Sequence, residues 1–245
     1  MGAAREGDAA TRRSGWWLAF VALLLVVTVA GVWAVQQGGS RPSRGAEVAP
    51  GASPSPSIPP IARQQVWTSD TRSSGTYLLN TVTAAPQLPA PATLRYVVKV
   101  EDTVSVAPDE AAAEIQRTLD DPRGWAGYGK RNFALVADES KAGVVIYVAS
   151  PSTTHELCKA ADVGFAWSCS DRTRIVLNAD RWRFMTPTYD DLGAYRSYLV
   201  NHEMGRVLGQ GVATCAKPGA KAPVMMQQGA DLGGCLPNAW PRDAD

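Results

Sequence analysis

Histidine is almost missing from this chain: among 245 residues only His155 and His202 carry an imidazole. That scarcity rules out a site built on three imidazoles, one of the usual ligand sets of a catalytic zinc. Cysteine is sparse too, with four copies and no C-x-x-C pair, which argues against a zinc ribbon. Neither sign of charge dominates, since 24 basic residues face 23 acidic ones. No basic stripe points to nucleic acid, and none is expected as a partner. A serine-centred elbow, a phosphate loop and a dinucleotide-binding glycine fingerprint are all absent.

Charge disappears altogether between Ser14 and Ser40. Within that gap Trp16 to Val35 forms a nearly continuous apolar run. At ~1.5 Å per residue such a helix matches the ~30 Å hydrocarbon core of a bilayer. Trp16, Trp17 and Trp33 lie near its ends, where indoles favour the membrane interface. A cleaved secretory signal, with Val32 and Ala34 before the cut, is the alternative, but its apolar region would be long for one. Arg5, Arg12 and Arg13 precede the run and Arg41 and Arg44 follow it, which favours an N-terminus inside the cell. All four cysteines (Cys158, Cys169, Cys215, Cys235) lie beyond the run. An even number there fits disulfides in an oxidising compartment; four reduced core cysteines are the other reading. The expected order is a cytoplasmic tail over 1–15, a transmembrane helix over 16–35, a Pro/Ser/Gly-rich linker over 36–62 and an extracytoplasmic domain over 63–245. The membrane is thus an expected partner, through the N-terminal helix.

The linker contains GASPSPSIPP, which cannot bury enough apolar surface to fold and favours an extended spacer. In the domain, LRYVVKVE (Leu94 to Glu101) alternates and is β-branched, so it reads as a strand. Ala107 to Asp121 reads as a helix with Pro108 in its first turn. Asn132 to Ala137 and Gly143 to Ser150 read as further strands, and GFAWSC and TRIVLN as a hairpin about SDR. Asp190 or Asp191 is placed to cap a long helix that ends near Gly209. This order of elements predicts an α+β domain.

The long helix holds the chemistry. A metalloprotease helix reads H-E-x-x-H, with two imidazoles one turn apart on zinc and the glutamate activating a water. Here NHEMGRVLGQGV supplies His202 and Glu203 but Arg206 in the second ligand place. Tyr195, Leu199, His202 and Arg206 share one narrow stripe of the helix, with Glu203 beside it.

The pieces RSYLVNHEMGRVLG, CAKPGAKAPVMMQQG, CLPNAWP and, upstream, IVLNADRW resemble a functionally uncharacterised actinobacterial family of secreted or membrane-anchored domains. That family is itself similar to the metzincin zinc metallopeptidases. The resemblance covers most of Leu94 to Pro241. It implies a metzincin-like domain, a mixed sheet packed on two helices. His202 would stand at the first metal ligand, Glu203 at the general base, Gly209 at the turn and Met225 at the methionine turn under the metal. Arg206 and Val212 stand at the second and third ligand positions, and neither side chain can bind zinc, since a guanidinium has no free lone pair. Sequential pairing, Cys158 with Cys169 and Cys215 with Cys235, is the simplest of three connectivities and matches where cysteines fall in the resembled family.

The arginine has a physical reading. Without zinc, Glu203 would be a buried charge with no counter-ion, and Arg206 at i+3 is spaced to neutralise it. Otherwise both are solvated charges, a pair contributing ~0.3–0.5 kcal/mol. Trp125, Trp167, Trp182 and Trp240 could form an aromatic binding face or sit in the core and rim, and the Asp190–Asp191 pair is expected to cap rather than act as a carboxylate dyad. The sequence therefore predicts a catalytically inactive, membrane-anchored metallopeptidase-like domain, with no cofactor, that binds a peptide or an envelope component or serves as scaffold. The rival is an active zinc metallopeptidase with Glu203 as base, His202 as one ligand and His155 as a further donor. A purely structural role is the third reading.

Overall fold

Strand β2 (Thr93–Glu101) is the centre of the fold, because Tyr96, Val97, Val98 and Val100 are all buried and so need cover on both faces. The computed structural model describes residues 57–242; the expected tail, transmembrane helix and most of the linker lie outside the described residues. Along one edge β2 pairs in parallel with β4 (Val144–Ala149), in the register Tyr96↔Val144 to Val100↔Val148. Its other edge is shared by β3 (Asn132–Leu135), parallel along the first half, and β1 (Tyr77–Leu79), antiparallel along the last residues. Beyond β4 lies β6 (Arg174–Asn178), again parallel, and then β5 (Cys169–Ser170), antiparallel at the far edge. The result is a six-stranded mixed sheet.

Helix α1 (Pro108–Asp120) starts with Pro108, which gives up no needed N–H, and with Asp109 and Glu110 at the positive end of the helix dipole. It buries Ala111, Ala112, Ile115 and Leu119. These pack with Val98, Ile146 and Leu177 from the sheet, and each large side chain so buried stabilises the fold by ~1.5–3 kcal/mol. Helix α2 (Pro151–Leu157) is capped by the Ser150 hydroxyl, and α3 (Ala179–Phe184) by the Asn178 side chain accepting from Asp180 N. Helix α4 (Leu192–Val207) is capped by Asp191, whose carboxylate accepts from Ala194 N at 2.6 Å. It packs against α1, α3, β5 and β6. The domain is α+β, as expected, though four helices rather than two cover the sheet among the described residues.

Three boundaries differ from expectation. Ile58 packs on the core and Ala62 is 2% exposed, within a short 3-10 turn at Pro60–Arg63, so folded structure begins before residue 63. The expected strand at 164–169 shrinks to Cys169–Ser170. The residues before it are held by side chains instead: Asn178 N donates to Ser168 Oγ and Asn178 Nδ2 to Phe165 O, which replaces a ladder with a loop. Strand β3 ends at Leu135, two residues early.

Both disulfides pair sequentially, Cys158 with Cys169 and Cys215 with Cys235. Among the described residues no helix is long and apolar enough to cross a membrane.

Candidate functional site

The second half of α4 is enclosed on nearly every side: Tyr198 to Gly205 are all buried. One wall is the sheet edge at β5, and the other is the returning segment 222–228, which lies against the helix. Tyr198 fixes that segment, donating its hydroxyl to Met226 O at 3.0 Å and accepting from Gln228 N at 2.9 Å. Tyr189 adds a bond to Gln228 Oε1 at 2.8 Å.

His202 and Glu203 are each 4% exposed. His202 Nδ1 lies 2.9 Å from Val224 O. A carbonyl only accepts, so this nitrogen carries the proton and, in the neutral ring, Nε2 is left as the basic atom. That orientation is the one a metal-binding imidazole usually has. Glu203 Oε2 accepts from the Ser170 hydroxyl at 2.7 Å, across from β5. Below the helix, Met225 meets Gly205: a Cβ built on that glycine would collide with the Met225 sulfur and lie 2.7 Å from Trp125 Cζ2. The methionine expected at the turn under the site is therefore packed against the helix at Gly205, three residues after His202.

Tyr189, Tyr195 and Tyr198 form a ring cluster beside these residues, with centroids 5.2 to 5.8 Å apart. Burial pushes the Tyr195 phenol up to about 12; the Arg181 charge and a Thr186 hydrogen bond oppose this, and Glu203 adds to it. Burial also raises Tyr189 and Tyr198, so all three phenols keep their protons at neutral pH, and Tyr189 and Tyr198 donate theirs to Gln228 Oε1 and Met226 O.

Arg206 does not neutralise Glu203. Its side chain is exposed, and no ion pair joins the two among the described residues. Arg206 stands one residue before the end of α4, where a long side chain reaches water without desolvating its guanidinium, and burial of that charge is the costlier option. The buried cation of this region is Arg181 on α3, 1% exposed. Its Nη2 donates to Trp67 O, while Nε and Nη1 have no hydrogen-bond partner among the described residues. Arg181 and Glu203 act in opposite senses on the Tyr195 phenol between them. Sequence reasoning passed over Arg181, because an arginine in a short ADRWRF segment carries no sign of burial.

The donor set does not fit a zinc ion. Val212 is 75% exposed and apolar, Arg206 offers no lone pair, and His155 lies on α2 with its ring stacked on Phe165 at 4.1 Å. Among the described residues no group of three or more His, Cys, Asp or Glu side chains is placed to hold a metal. His155 is thus not brought to His202 and Glu203. The tryptophans share no face: Trp182 is 2% exposed, Trp125 donates to Asn201 O at 2.8 Å, Trp240 lies under Arg123, and Trp167 abuts Gly229. Asp191 caps and Asp190 is exposed, so they form no dyad.

A family model described as "Protein of unknown function (DUF3152)" matches residues 68–235, more than half of the chain, and the chain belongs to that family. No curated protein and no solved structure matches it.

Proposed function

We propose that this DUF3152 member is a membrane-anchored, extracytoplasmic domain with a metallopeptidase-like cleft that has lost catalysis and now binds a peptide or an envelope component, or serves as scaffold there. The observation that supports this most is the asymmetry of the expected ligand positions. His202 and Glu203 are buried and individually supported, by Val224 O and Ser170, whereas positions 206 and 212 hold side chains that cannot ligate. A buried carboxylate and an imidazole with a free basic nitrogen can accept hydrogen bonds from a ligand's N–H or O–H groups without any metal. The mixed sheet, the antiparallel edge strand beside α4 and Met225 beneath Gly205 fit a metzincin-like ancestry. Two disulfides fit an oxidising compartment outside the cytoplasm. The apolar run from Trp16 to Val35 supplies the anchor.

The test is metal content. The full chain, with disulfides intact, is loaded with zinc and desalted, and bound zinc is measured. Near-zero zinc is expected. About one zinc per chain, lost in His202→Ala, would overturn the reading in favour of an active zinc metallopeptidase with Glu203 as general base. The double variant Arg206→His with Val212→His tests the ancestry separately, because tight zinc binding should return if the scaffold is that of a zincin.

A further inference from the structure

A separate concavity of about 530 Å³ opens at the C-terminal end of α4, and neither His202 nor Glu203 lines it. Its volume falls within the roughly 300–1,000 Å³ typical of small-ligand sites. Lys130 and Arg131 come to it from the segment before β3, and Arg172 from the β5–β6 turn. All three are exposed, none joins an ion pair among the described residues, and no acidic residue lines the cavity. The acids nearest in sequence are engaged elsewhere. Asp171 pairs with Arg174 at 3.2 Å and accepts from the Thr173 and Arg174 amides, Asp138 pairs with Lys141 at 3.4 Å, and Asp121 pairs with Arg123 at 2.8 Å. The negative pole of α4 is also blunted: Leu208, Gly209 and Gln210 donate back to the carbonyls of Met204, Arg206 and Gly205. Three cations beside an apolar wall, with no compensating acid, concentrate anions.

The cavity also has an aromatic side. Tyr128, 46% exposed, stacks on Trp125 with centroids 5.9 Å apart, and Trp125 is fixed by its bond to Asn201 O. Tyr128 also has the Arg242 guanidinium 5.9 Å from its ring centroid and donates its hydroxyl to Pro241 O at 3.1 Å. Charge alone would accept an acidic peptide or an acidic sugar. An extended peptide docks best on a free strand edge. The outer edge of β3, next to Arg131, is already closed: Ala84 and Leu135 exchange both backbone bonds, at 3.1 and 3.0 Å, and Asn132 Nδ2 donates to Leu88 O. A saccharide needs no strand edge; it uses an aromatic face for its C–H surface and cations for its carboxylates.

We propose that this groove binds an acidic oligosaccharide, with carboxylates held by Lys130, Arg131 and Arg172 and a sugar ring laid against Tyr128. The proposal does not use the His202–Glu203 cleft. Calorimetric titration of the full chain with oligogalacturonate tests it, with a maltooligosaccharide of the same length and an oligoglutamate of equal charge as controls. Expected is binding of oligogalacturonate that weakens with salt, no binding of the neutral sugar, and weaker binding of oligoglutamate. The triple variant K130Q/R131Q/R172Q should lose about tenfold or more in affinity, as three charge-assisted contacts become neutral. Tyr128→Leu should weaken the sugar but not oligoglutamate. No binding of oligogalacturonate at low salt, or binding unchanged in the triple variant, would overturn the proposal. Equal binding of oligoglutamate, indifferent to Tyr128→Leu, would also overturn it and assign the groove to acidic peptides.

Discussion

The Tyr198 hydroxyl bridges Met226 O and Gln228 N, so one phenol on α4 closes both ends of the turn that follows the methionine pair. Because it is buried, each of these groups has no water to replace it. Gln228 N also donates to Met226 O at 2.8 Å, so Tyr198→Phe leaves neither group stranded and should cost about 0.5–1.5 kcal/mol, the net contribution of the lost hydrogen bonds. Urea unfolding measures the loss, and faster hydrogen exchange at the Gln228 amide would locate it. An unchanged amide would mean the turn is held by Tyr189 and the backbone alone.

Gly205 gives a second prediction. An alanine there gains helix propensity of about 1 kcal/mol. Against this, its methyl would press on Met225 and on the indole of Trp125, and overpacking costs typically about 1–3 kcal/mol. The methionine can swing aside, but the indole is pinned by its bond to Asn201 O. Net destabilisation of about 1 kcal/mol is expected from Gly205→Ala. A stabilised variant in a denaturant series would show that Trp125 yields.

Acid sensitivity is predicted to arise partly from Glu101. This carboxylate, fully buried at the end of β2, accepts from Ser150 N and Thr153 Oγ1 at 2.7 Å and from Ser74 N at 2.8 Å. Burial by itself would raise its pKa, but the hydrogen bonds from Thr153, Ser150 and Ser74 outweigh that and hold it below the ordinary value. With the folded pKa below the unfolded one, its contribution is complete above the unfolded value. It fades as pH falls through the folded pKa. Glu101→Gln should lower Tm at neutral pH and flatten its decline below about pH 4.5. A parallel decline in both proteins would place the acid sensitivity elsewhere.

The Cys215–Cys235 bridge closes a loop with a sequence separation of 20 and joins Ala222 and Met226 in a small cluster. Replacing both cysteines by serine should cost about 3 kcal/mol through the freed loop-closure entropy. Limited proteolysis should then cut between residues 216 and 234 first. Resistance there would mean that the bonds from Tyr198 and Tyr189 suffice to hold the segment.

Much of the scaffold was legible because its signals are long or chemically specific. The β-branched run at Leu94 to Glu101 needed a strand, and the Asp190–Asp191 pair ahead of a helical pattern marked where α4 starts, with Asp191 the one that caps. The short helices α2 and α3 were not read, although Ser150 with Pro151, and Asn178, are ordinary caps. Each cap is the residue adjoining an apolar strand, so the strand pattern absorbed it. At the site, the sequence placed His202 and Glu203 on one helix, and both are buried there. Helical spacing alone could not separate His202 from Arg206, since the wheel does not register that the helix ends at Val207. Ser170 as the partner of Glu203 was beyond reach too, because the pairing spans 33 residues and depends on the sheet edge.

Trp125, Gly205 and Met225 come from three distant parts of the chain and fill one another's space. In the history of such a domain they form a single unit of inheritance. A change at one of them is better tolerated when a neighbour changes with it, so relatives that carry a side chain at 205 should be those in which the indole or the thioether has already been traded for something smaller.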